Sequence, residues 1–173
     1  MAASLARPNS ARFYILAAGV TIIDQVTKSI ARATIPDGSS IRVIPGLLDL
    51  QLSYNSGGAF GMMPNMAPLF ILVGLVAVFA IVRLRTADRG AETLSTGLGL
   101  LLGGAVGNMI DRVAFGSQGV TDFIHFYVTV GGKVRSWPNF NLADAAIVAG
   151  VVLVFYYVQV VKRRRDIEAQ DTP

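Results

Sequence analysis

The chain has 173 residues, of which 53% are hydrophobic and only 15% charged; a soluble domain carries roughly 25% charged residues, so the composition points to a membrane protein. It contains no cysteine, which excludes disulfides, thiolate nucleophiles and thiolate metal sites. The net charge of +4 does not indicate nucleic acid, because nine of the 15 Lys and Arg (Arg7, Arg12, Arg83, Arg85, Arg89, Lys162, Arg163, Arg164 and Arg165) flank apolar segments, where anionic lipid headgroups account for them.

One domain is expected at this length, and no internal repeat stands out. A first helix is predicted over about 12–33, where "FYILAAGVTII" runs uninterrupted and Asp24 and Lys28 follow within the helical pattern. Those two charges fit a retained helix better than the core of a cleaved signal peptide. In the loop of about 34–64, Leu48, Leu50, Leu52 and Tyr54 alternate with Asp49, Gln51 and Ser53, the period of a strand with one apolar face. The second helix, about 65–85, contains "PLFILVGLVAVFAIV", whose proline suits a helix start. The third, about 91–112, holds 18 uncharged residues, "TLSTGLGLLLGGAVGNMI". Its glycines predict close helix packing rather than a phosphate cradle. The loop of about 113–140 includes "FYVTVGGKVRSW", two β-rich runs around Gly131-Gly132 that read as a hairpin. A fourth helix covers about 141–162. A bilayer core of about 30 Å needs roughly 20 helical residues. The expectation is a mainly α integral membrane protein: four transmembrane helices with a small extracytoplasmic β-rich platform.

Orientation follows from the basic residues. With both termini cytoplasmic, all nine flanking charges lie inside, against Arg32, Arg42, Lys133 and Arg135 in the outer loops, which satisfies the positive-inside rule. Asp24, Asp111, Asp122 and Asp144 then all fall in the outer half of the membrane or just above it. Each such group costs roughly 2.5–3.5 kcal/mol at mid-membrane, so they must be paired, hydrated or used. Asp24 and Lys28, at i and i+4, are placed for an ion pair. Asn108, Asp111 and Arg112 share a helical face and suit a polar cluster. Asp122 and Asp144 have no cation at helical spacing. The first is compatible with a solvated turn, and the second with a carboxylate favoured by a helix N-terminus.

The available chemistry is narrow. His125 has no second histidine or cysteine nearby for a transition metal, and no EF-hand, P-loop or GxSxG pattern is present. A pair of carboxylates sharing a proton remains, able to activate water and polarise an amide carbonyl. Intramembrane charges also mark ion paths, but these lie on one side only, whereas an alternating-access transporter needs polar groups reachable from both faces.

The blocks "DQVTK" (24–28), "NSGGAFG" (55–61), "GGAVGNMIDR" (103–112), "VTDF" (120–123) and "FNLAD" (140–144), in this order on a four-span layout, resemble the bacterial lipoprotein (type II) signal peptidases, from about residue 12 to 161. The resemblance implies a metal-independent aspartic endopeptidase of the bacterial cytoplasmic (inner) membrane, with no cofactor. It would remove signal peptides from diacylglyceryl-modified prolipoproteins by cutting on the amino side of the lipidated cysteine, at the outer face. Asp122 and Asp144 would be the catalytic pair. Asn55, Gly57, Asn108, Asp111, Arg112 and Asn141 would bind substrate or shape the site, with Asp24 and Lys28 in support. The expected partners are lipidated precursors and membrane lipid, not nucleic acid, and the enzyme is expected to act as a monomer. Residue 121 is threonine where the family commonly has valine.

Overall fold

A computed structural model of the chain describes residues 10–56, 67–87 and 92–163. Four long helices are present: α1 (Ser10–Thr34), α2 (Ala67–Ala87), α3 (Glu92–Phe115) and α4 (Leu142–Tyr156), the last running on through a π-helical stretch, Tyr157–Lys162. All four are long and apolar enough to cross a membrane. Four strands, β1 (Ser40–Ile44), β2 (Leu48–Asn55), β3 (Val120–Val130) and β4 (Lys133–Ser136), form one antiparallel sheet in chain order.

Helix α3 is the axis of the bundle and packs against each of the other three. Its glycines make that possible on two faces. A methyl at Gly103 would lie 2.6 Å from Cβ of Val20 on α1, and one at Gly104 would lie 2.5 Å from the Ala143 carbonyl oxygen on α4. Small residues let the backbones meet, and in lipid such packing is a main source of helix association. The outward sides are apolar: Ile15, Ile22 and Ile30 on α1, Leu72, Val76 and Phe79 on α2, and Val148, Val152 and Phe155 on α4 are all exposed. That surface suits hydrocarbon, which offers no water to polar groups.

The sheet sits where α1 and α3 end and α4 begins. Leu50 and Leu52 of β2, on the apolar face read from their alternation, pack against a cluster of Ala31, Ile35 and Phe123. The β3–β4 hairpin turns at Gly131 and Gly132, both at positive φ (58° and 74°), as a tight two-residue turn requires. Strand β1 went unforeseen. "SIRVI" is exposed at all five positions and its pairing with β2 is irregular between Arg42 and Ile44, so it carries no inside-outside alternation.

Candidate active site

Polar side chains from all these elements except α2, β1 and β4 converge at the sheet end of the bundle. On α1, Asp24 and Lys28 are fully buried and form the ion pair their spacing predicts, at 2.9 Å. The Lys28 ammonium also lies 3.4 Å from Oδ2 of Asp111 and donates to Oδ1 of Asn108 at 3.0 Å. One cation thus ties two carboxylates and an amide from two helices. Asp24 Oδ1 accepts the backbone N–H of Ala143 at 3.0 Å, which ties α4 to the same knot. Gly107 provides the room: a methyl there would lie 2.6 Å from Asp24 Oδ2.

The face shared by Asn108, Asp111 and Arg112 divides. Asn108 and the fully buried Asp111 turn towards Lys28, whereas the Arg112 guanidinium lies 5.2 Å from the centre of the Phe70 ring on α2 and donates to the Asn108 carbonyl oxygen at 3.3 Å. Adjacent helical residues diverge by about 100°, so the lysine of α1 takes the aspartate, while the arginine rests on Phe70 of α2 and stays within electrostatic reach of Asp144, Asp122 and Asp111. The expected self-contained cluster is replaced by contacts between helices.

Helix α4 opens with a capping box. Asn141 is fully buried; its Oδ1 accepts the N–H of Asp144 at 3.0 Å, and Asp144 Oδ2 accepts the Asn141 N–H at 3.2 Å. Two donors that every helix start leaves unpaired are thereby satisfied. Asp144 does fill the helix-terminal role that its position allows. Its other oxygen, Oδ1, accepts from Asn108 Nδ2 at 2.8 Å.

Asp122 is not a solvated turn residue. It is the third residue of β3, opposite Ser53 of β2, and only 3% exposed. Asn141 Nδ2 donates to its Oδ1 at 2.6 Å, and the Asn55 side chain hydrogen-bonds to it as well. Asn141 therefore touches both acids, Asp122 through its side chain and Asp144 through its cap. Burial pushes the Asp122 carboxyl up to about 7, with the neighbouring Asp144 charge adding to the rise; hydrogen bonds from Asn141 and Asn55 and the Lys28 charge oppose it. A carboxyl that holds a proton near neutral pH is what acid-base work requires.

Gly57 lies outside the described residues. His125 stacks on Tyr127 with ring centres 5.5 Å apart. Three residues here were not among the site residues expected from the sequence. Gln25 Nε2 donates to Asp111 Oδ1 (3.1 Å), Asp24 Oδ2 (3.2 Å) and the Gly107 carbonyl oxygen (3.0 Å). Thr121 is fully buried, and Arg32 reaches it from α1. Gln25 could have been found from its place beside Asp24; the contacts of Thr121 and Arg32 join residues 89 apart and leave no local signal.

Comparison with known proteins identifies the family. Residues 16–160 match the family model for signal peptidase (SPase) II. The chain is 40% identical over 151 residues to a lipoprotein signal peptidase from Symbiobacterium thermophilum, covering 87% of this chain and 95% of that one. It is likewise 40% identical to one from Geobacillus kaustophilus, covering 84% and 92%. Two solved structures of a bacterial membrane enzyme, obtained by the in meso method at 2.3 Å and 1.9 Å, superpose with TM-scores of 0.76 and 0.75. They are 29% and 31% identical to this chain and cover 94% and 87% of it, and 93% and 94% of their own chains. The chain is a multi-pass membrane protease and belongs to the signal peptidase II family, the lipoprotein signal peptidases.

Proposed function

We propose that this protein is a metal-independent aspartic endopeptidase that cuts diacylglyceryl-modified prolipoproteins on the amino side of the lipidated cysteine, with Asp122 and Asp144 as its two acids. The observation that carries the reading is Asn141, whose one residue hydrogen-bonds to both carboxylates and so holds them to a common centre. In the reaction, ionised Asp144 takes a proton from water as the water oxygen attacks the scissile carbonyl, and Asp122 gives its proton to the carbonyl oxygen. Collapse of the resulting diol reverses both transfers: Asp144 protonates the departing amine of the lipidated cysteine and Asp122 recovers a proton from a diol hydroxyl. Asn108 and Asn141 orient Asp144 throughout, Asn55 and Asn141 orient Asp122, and Arg112 and Gly57 would contact the bound chain.

The site belongs at the extracytoplasmic face of a bacterial cytoplasmic membrane, with both termini inside. The one-sided distribution of Lys and Arg supports that orientation. Each buried acyl CH₂ of the substrate adds about 0.8 kcal/mol of anchoring, so a precursor reaches a monomeric enzyme by lateral diffusion in lipid. The test is cleavage of a diacylglyceryl-modified precursor by purified protein, without added metal and in the presence of chelator. Turnover is expected for the wild type and not for Asp122→Asn or Asp144→Asn; full turnover by either variant, or a requirement for metal, would overturn the assignment.

A further inference from the structure

We infer that Arg32, in the last turn of α1, is a positioning residue for this reaction, acting on Asp122 through Thr121. The inference rests on the reading of Asp122 as a catalytic acid. Thr121 precedes Asp122 in β3, and each of its polar groups is held by a different helix. Its N–H donates to Asp111 Oδ2 on α3 at 2.8 Å, and its carbonyl oxygen accepts from Asn141 Nδ2 at the start of α4 at 3.3 Å. Its hydroxyl accepts from Arg32 Nη1 on α1 at 2.8 Å. Neighbouring residues of a strand point to opposite faces, so Arg32 grips β3 from the side away from the Asp122 carboxyl and acts without touching substrate.

The arginine is itself held in place. Its other terminal nitrogen donates to Ser29 Oγ at 3.1 Å, its guanidinium lies over the Phe115 ring at 4.7 Å, and Asp111 Oδ1 stands 3.8 Å from Nη1. Fork geometry, ring stacking and charge are used together, a combination lysine does not reproduce. The two aspartates that tie into Lys28 do not contact the Thr121 hydroxyl, so Arg32 supplies the restraint that the buried knot lacks. A misplacement of about 1 Å in a reacting group costs up to about 10²-fold in rate.

The experiment compares kcat and KM of wild type, Arg32→Gln, Arg32→Lys, Thr121→Val, Thr121→Ser and the Arg32→Gln/Thr121→Val double variant on a lipidated precursor, with Asp122→Asn as the inactive control. Expected is a roughly 10- to 100-fold loss of kcat with little change in KM for Arg32→Gln, and a loss in the same direction for Thr121→Val although the family commonly has valine at this position, because in this chain valine leaves the Arg32 guanidinium without its acceptor. Lysine at 32 should recover only part, serine at 121 most, and the double variant should be no worse than the poorer single one. Multiplying losses, or full kcat in Thr121→Val, would overturn the inference. If Arg32→Gln does not fold, the comparison of Thr121→Val, which keeps the buried volume and loses the hydroxyl, with Thr121→Ser, which keeps the hydroxyl and gives up a methyl, decides it alone. An inactive wild type or an active Asp122→Asn would instead remove the functional reading on which the inference stands.

Discussion

Replacing Asp122 by asparagine should abolish turnover and at the same time stabilise the protein, by an amount set by pH. The folded chain holds the Asp122 proton up to about 7, because the carboxyl is buried beside Asp144, against an ordinary value of 3.8. Below about pH 4 the carboxyl is protonated in both folded and unfolded chains and contributes no difference. Between about pH 4 and 7 the unfolded chain ionises and the folded chain does not, so native stability declines by about 1.4 kcal/mol per pH unit. Above about 7 both forms are ionised and the loss levels off at roughly 4 kcal/mol. Asparagine does not titrate, and its side-chain oxygen can still accept from Asn141. The Tm advantage of Asp122→Asn over wild type should therefore be close to nil at pH 4, grow towards pH 7 and plateau. For a chain of this size the plateau is on the order of 10 °C. Thermal unfolding in detergent at pH 4, 5.5, 7 and 8.5 measures it, and wild-type turnover should fall on the alkaline side as Asp122 loses its proton. A Tm difference constant across that range, or turnover unchanged through pH 7 to 8.5, would mean that Asp122 titrates as an ordinary carboxyl and that the buried-acid reasoning is wrong.

Asp144→Asn should also lose turnover but move stability the other way. Both oxygens of Asp144 accept hydrogen bonds, from Asn108 and from the Asn141 N–H, and an amide leaves one of those donors facing an NH₂ group, at about 1–3 kcal/mol; a Tm equal to wild type would contradict the capping box. Gly107→Ala forces a methyl against Asp24 Oδ2 at 2.6 Å and should cost about 1–3 kcal/mol as over-packing, together with much of the activity. An alanine variant with wild-type Tm and turnover would show that α1 and α3 can separate freely. For topology, a reporter fused after Arg89 should be cytoplasmic and one inserted at Gly131 external; the reverse would put the carboxylates at the wrong leaflet.

What the sequence revealed and what it hid differ by the range of the interaction. The pairing of Asp24 with Lys28, the hairpin at Gly131-Gly132 and the tight packing of α3 depend on residues near one another in the chain, and periodicity or turn chemistry is enough to read them. The Lys28–Asp111 contact, the triple hold on Thr121 and the turn of Arg112 towards Phe70 depend on which helix lies beside which. No spacing rule contains that information. The sequence could count Arg32 only as one of four basic residues on the outer side, because the hydroxyl that gives it a role arrives from 89 positions away.

Asp144 illustrates why the structural and chemical readings of a residue need not compete. As the N3 member of a capping box it accepts one hydrogen bond on Oδ2, and Asn108 supplies another to Oδ1. A carboxylate has about four acceptor positions, so roughly two remain for water. The bonds that cap α4 are the same ones that fix the carboxyl in space, and they are made before any substrate arrives. Orientation obtained in this way costs nothing at the moment of reaction, which is what electrostatic preorganisation requires. A helix N-terminus is accordingly a sound place for the acid proposed to act as base, while its proposed partner, buried in a strand with its carboxyl pushed up to about 7 by that burial, has the opposite environment. The proposed difference in role between the two aspartates follows from this difference in secondary structure.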